Sequence, residues 1–228
     1  MQREAYFCAA RSPNIIDIVA MPQGLHEQPE KLKTEVQNAL NITCDSQGNS
    51  YDASLLGYGL CSNGIVGLSA KIPIVVPRGH DCVTLLLGSK EKYQQYFDSH
   101  RGVYWYSHGW IESGKQPSKQ RHQQLLAEYK QKYGEDNAQY LIETEQKWME
   151  EYNWATYIDW GFVNSNREKE FTKQCAKSFG WNYDELKGES ALIQRLLDGQ
   201  WSEEQFLVVQ PGQKITEDLT SPGIIKAD

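Results

Sequence analysis

The feature that most constrains the fold is a pattern that repeats along the first half of the chain: a short apolar run, a glycine-rich turn, then a further apolar or helical stretch. Ala53 to Tyr58 (ASLLGY) has the composition of a strand and runs into Gly59-Leu60-Cys61-Ser62-Asn63-Gly64. Ile72 to Val76 (IPIVV) is a second such strand, followed by Pro77-Arg78-Gly79-His80-Asp81-Cys82 and then Val83 to Leu87, with Asp81 placed to cap a helix and Gly88 to end it. Upstream, Ile15 to Ala20 reads as a buried strand, and Gln28 to Leu40, with Leu32, Val36 and Leu40 at four-residue spacing, as the amphipathic helix after it. A first helix is expected from Arg3 to Arg11, stopped by Ser12-Pro13-Asn14. This alternation predicts an α/β fold, a largely parallel sheet flanked by helices in a three-layer, Rossmann-like arrangement with right-handed crossovers. In such folds ligands bind beyond the carboxyl ends of the strands.

The second half is more helical. Leu125, Leu126, Tyr129 and Tyr133, then Leu141, Trp148, Met149 and Tyr152, lie on helical stripes that predict two long helices broken near Gly134, a helical insertion over about residues 115–153. Ala155 to Trp160 and Gln205 to Gln210 read as strands, and they bracket helices marked by Phe171, Cys175, Phe179 and by Leu192, Ile193, Leu196, Leu197. The tail after Pro211 is polar and turn-rich. With no internal repeat and no low-complexity linker, the 228 residues are expected to form a single domain.

A net charge of −7, with lysine and arginine scattered, gives no footprint for nucleic acid or an anionic membrane surface. No run approaches the ~18 apolar residues of a membrane span, and Met1 is followed by Gln-Arg-Glu-Ala rather than by a leader pattern. Five irregularly spaced cysteines do not suit a secreted disulfide framework. A cytoplasmic, reducing location is expected, with thiols available for metal.

If the two strands preceding the turns are neighbours, Cys61, His80 and Cys82 converge at one sheet edge. Two thiolates and an imidazole are a ligand set that zinc prefers, and three protein ligands leave a fourth position open. The alternative is that Cys61 and Cys82 are small buried apolar residues and that His80 only bonds to its own turn. Asp81 is a candidate carboxylate for orienting His80 or for catalysis, with helix capping as its alternative role. His26, in Gly24-Leu25-His26, is a candidate fourth ligand or acid/base group, or an ordinary loop histidine. Arg78 and the amides near Asn63-Gly64 are candidates for binding an anionic substrate group. Trp105 and Trp110, in the run Tyr104-Trp105-Tyr106-Ser107-His108-Gly109-Trp110, are candidates for lining a pocket, although such a run also serves as core or interface. Cys44 and Cys175 are assigned no chemistry.

At Leu25-His26, Gly57 to Gly64, Pro77 to Cys82, Leu87-Gly88-Ser89-Lys90, Tyr104-Trp105-Tyr106 with Gly109 to Glu112, and Leu196 to Trp201, the sequence resembles the DUF1638 family of anaerobic archaea and bacteria. Members of that family often begin with one more strand, carrying a cysteine, which this chain does not show; Cys8, in the expected first helix, does not match it. The resemblance implies a companion of corrinoid-dependent methyl-transfer systems. The His-x-Cys triplet with a distant cysteine is similar to the zinc ligands of cobalamin- and coenzyme M-linked methyltransferases, although Cys61 precedes the triplet here, so the similarity concerns ligand chemistry alone.

Three functions are therefore expected candidates. One is a zinc-dependent thiol methyltransferase that takes its methyl group from a corrinoid protein. A second is a non-enzymatic metal- or cofactor-binding accessory of a methyltransferase, with the aromatic run as its contact surface. A third is a metal-free enzyme in which His80 activates Cys82 as nucleophile. Seven tryptophans and thirteen tyrosines leave room for a homo-oligomeric interface.

Overall fold

The structure is a computed structural model that describes residues 1–22, 24–25, 28–60, 63–114, 116–162, 165–218 and 224–228. In chain order the elements are α1 (Gln2–Ala9), α2 (Pro29–Leu40), β1 (Ser54–Leu55), β2 (Ile74–Pro77), α3 (Cys82–Leu87), α4 (Lys90–Ser99), β3 (Val103–Ser107), α5 (His108–Glu112), α6 (Lys119–Tyr133), α7 (Glu135–Gln146), β4 (Trp154–Asp159), α8 (Ser165–Phe179), β5 (Asn182–Lys187), α9 (Ala191–Leu197), β6 (Phe206–Val209), β7 (Ile215–Asp218) and β8 (Ile224–Ala227). A 3-10 turn, Lys147–Glu151, leads into β4. The chain is thus a mixed α/β protein, and none of the described helices is long and apolar enough to cross a membrane.

The chain forms two compact units, 1–93 with 189–228, and 94–188. In the first, β1 pairs parallel with β2, and β2 pairs antiparallel with β6. β2 is buried along its whole length, as a central strand must be. α2 starts with Pro29 at its first turn, where a missing N–H costs nothing, and buries Leu32, Val36 and Leu40 in the core with Leu56, Ile65, Leu68, Ile74 and Val76. The tail is more ordered than its polarity suggests. β7 and β8 form an antiparallel pair whose Ile215 and Ile225 enter this core, and Ile215 exchanges backbone bonds with Gly67 and Leu68.

One expected strand is corrected. Ile15 to Ala20 has no regular structure, Ile15 is 99% and Val19 67% exposed, and no backbone hydrogen bond from this stretch to a described residue is present. An apolar run makes a strand only when a neighbouring edge pairs with it, and the hydrogen bond that ties this stretch to a described residue is Tyr51 Oη donating to Asp17 at 2.7 Å.

The second unit is built on an all-parallel sheet in the order β3-β4-β5. Its core joins Tyr106, Ala155 and Tyr157 of the sheet to Cys175 and Ala176 of α8, with Trp181 and a surround of further aromatics. β5 (NYDELK) lacks an apolar pattern and is a strand because it pairs residue for residue with β4. The expected pair of helices is present as α6 and α7, separated at Gly134, whose φ of 82° suits glycine; α7 stops at Gln146, so that Trp148 and Met149 fall in the 3-10 turn and Tyr152 after it.

Candidate functional site

Because β1 and β2 are parallel, with Ser54 opposite Ile74 and Leu55 opposite Val75, their carboxyl ends share one edge. The turns that follow remain joined beyond the strands. The Leu60 amide donates to the Gly79 carbonyl at 2.9 Å, and the Cα of Gly59 lies against the backbone of Asp81. The convergence expected of the two turns is therefore present in their backbones. Cys61 and His26 themselves lie outside the described residues.

His80 and Cys82 are both exposed, so the alternative of Cys82 as a buried apolar residue does not hold. Asp81 takes the capping role. Its Oδ1 accepts from the amides of Val83 (2.9 Å) and Thr84 (3.3 Å), and its Oδ2 accepts from the Tyr93 hydroxyl at 3.1 Å. None of these bonds involves His80. Gly88 ends α3 in the left-handed conformation, its amide returning to the Thr84 carbonyl. Asn63, the one described non-glycine residue with positive φ (65°), is exposed on the first turn.

Arg78 is engaged with carbonyls. Nε donates to Glu203 at 2.9 Å and Nη1 to Ile225 at 2.5 Å, which ties the approach to β6 and the start of β8 to the His80 turn. Beside it lies a shallow dent of about 30 Å³ lined by Arg78, Thr84, Ser89, Lys90, Leu192 and Gln205 among others. No three His, Cys, Asp or Glu side chains are grouped as metal ligands among the described residues. His80 and Cys82 are two donors of a kind that zinc accepts, and a zinc site needs at least three.

Trp105 and Trp110 belong to the second unit. The Trp105 ring lies 5.2 Å from that of Tyr96, and the Trp110 indole N–H donates to the Tyr104 hydroxyl at 3.3 Å. Tyr104 in turn stacks against Trp181 and meets Trp148 and Tyr152, so much of the aromatic run packs the core. At the carboxyl edge of this sheet is a polar cluster that sequence reasoning missed. Lys169 of α8 bridges Asp159 at the end of β4 (2.7 Å) and Glu185 of β5 (2.8 Å), and Asp159 also accepts from the Gly161 amide at 2.8 Å. Glu168, the residue before Lys169, lies 3.3 Å from Nδ1 of His108, whose Nε2 has Glu112 at 3.2 Å, which joins α5 to α8. The signal that would have found Asp159 is its place at the end of an apolar strand; its partners are set by tertiary structure.

No curated protein and no solved structure matches the chain. A family described as "Protein of unknown function (DUF1638)" matches residues 20–197 of the 228, a stretch that contains both turns, α8 and the β3-β4-β5 sheet. The chain therefore belongs to the DUF1638 family.

Proposed function

We propose that the joined turns form a zinc site made by Cys61, His80 and Cys82, and that the protein serves corrinoid-dependent methyl transfer as a thiol methyltransferase. The observation that supports this reading is the Leu60–Gly79 hydrogen bond, which links the two turns immediately before Cys61 and His80 in the sequence. The two turns follow the carboxyl ends of the parallel strands β1 and β2, and ligands of open α/β sheets bind beyond such ends, which favours the reading. Zinc held there would supply the positive charge that keeps a substrate thiol as thiolate, the form that accepts a methyl group. The protein's own contribution is positional. Asp81 fixes the start of α3 and with it the backbone of Cys82, while Arg78 pins the turn to β6 and β8. The corrinoid protein as methyl donor rests on the resemblance in ligand pattern alone.

The test is metal content of protein purified anaerobically with reductant. About one zinc per chain, lost in Cys82→Ser and in His80→Ala, is the expected result. Metal-free wild type, or metal retained in both variants, would remove the site. A change in cobalamin absorbance on adding a methyl-corrinoid protein and a thiol then tests the reaction.

A further inference from the structure

The α6–α7 hairpin is unusual in how little it buries. None of the fifteen residues of α6 is buried, and α7 buries only Ala138 and Ile142. A helix of this length in a globular protein ordinarily has an apolar stripe turned to a core. Here aromatic surface is left open: Tyr133 at the end of α6 is 43% exposed, and Tyr140, on the face of α7 opposite Ala138 and Ile142, is 69% exposed. The charges are also divided between the helices. α6 carries Lys119, Arg121, Lys130 and Lys132 against a single acidic Glu128, whereas α7 carries Glu135, Asp136, Glu143 and Glu145 and no basic residue. Among the described ion pairs only Lys130–Glu135, at the turn, joins the two helices.

We propose that this hairpin is the docking surface for the same hairpin of a second copy of the chain. The charge division identifies the occupant. A partner surface of one sign would be attracted by one helix and repelled by the other. A second copy related by a two-fold axis parallel to the helices sets α6 against the partner's α7 and α7 against the partner's α6, so both contacts join basic to acidic. The arrangement is a four-helix one, with the exposed Tyr133 and Tyr140 turned into the join, where their rings are buried and their hydroxyls can still reach a partner. This interface is independent of the zinc reading and uses no residue of the two turns.

Sedimentation analysis of the full chain at low salt tests the interface, with circular dichroism to confirm folding. The wild type is expected to be a dimer that weakens as salt rises. Lys119→Glu with Lys132→Glu on α6 should weaken dimerisation by about 10-fold or more, and Asp136→Lys with Glu143→Lys on α7 should do the same. All four changes in one chain restore the complementarity with signs exchanged and should recover the dimer. A monomeric wild type, a dimer indifferent to either pair of changes, or failure of the combined variant to recover would overturn the proposal.

Discussion

Gly59 and Asp81 are packed backbone against backbone: a Cβ on Gly59 would stand 2.7 Å from both the Cα and the amide nitrogen of Asp81. Real Cβ atoms do not approach that closely, and the obstacle is main chain rather than a side chain that could swing aside. The contact holds the turn before Cys61 against the turn that carries His80 and Cys82.

Gly59→Ala should therefore separate the two turns. A destabilisation of about 1–3 kcal/mol is expected from overpacking, read as a lower denaturant midpoint with unchanged slope. If the turns also share a metal, the variant should lose zinc while both His80 and Cys82 remain. A variant as stable as wild type would mean that the turns are not held together by this approach.

The extent to which the fold was legible follows from where the information lies. α2 and α3 could be read because periodicity and caps are local: Leu32, Val36 and Leu40 on one face, Asp81 and Gly88 at two ends. Ile15 to Ala20 misled because its apolar composition states a preference and not the presence of a partner edge. β5 escaped for the opposite reason, since a polar strand is fixed by its neighbour β4. At the candidate site, the meeting of the turns was legible as a condition on strand adjacency, which the β1–β2 register fulfils. The Asp159–Lys169–Glu185 bridge was not, because its members come from two strands and a helix that only tertiary packing brings together.

The four cysteines that the structure describes divide into two reactive classes. Burial pushes the Cys8 thiol up to about 11, with Arg11 opposing, and pushes Cys175 up to about 11, with the Tyr106 hydroxyl opposing. Near neutral pH both are almost wholly thiol, the unreactive form, and both are buried. Alkylation mapped by mass spectrometry should label Cys44 and Cys82 in the native, metal-free protein and reach Cys8 and Cys175 only after unfolding. Added zinc should protect Cys82 and leave Cys44 unchanged. Equal labelling of Cys82 with and without zinc would count against its role as a ligand.

The Lys169 bridge makes stability depend on pH in a definite direction. Burial raises the Asp159 carboxyl, but the hydrogen bonds from Lys169 and the Gly161 amide outweigh it and hold the group below the usual carboxylate range; Lys169 and the Tyr183 hydroxyl hold Glu185 down likewise. Lys169 is raised by its bonds to the same two carboxylates. Groups lowered on folding stabilise the native state above their unfolded values, about 3.9 for Asp and 4.3 for Glu, and lose that contribution as pH falls through the lower folded values. The raised lysine contributes below its ordinary value and loses its effect as pH rises through the folded one. Lys169→Met should accordingly be less stable than wild type at neutral pH by about 1 kcal/mol, a figure kept low because the bridge is partly open to solvent. As acid protonates Asp159 and Glu185, the wild type loses the bridge and the variant loses the repulsion between two unscreened carboxylates, so the gap between them should close. Denaturant titrations of both proteins from neutral pH down to about pH 3 measure it. A gap that stays constant over that range would show that Lys169 acts through the packing of its aliphatic stem and not through its charge.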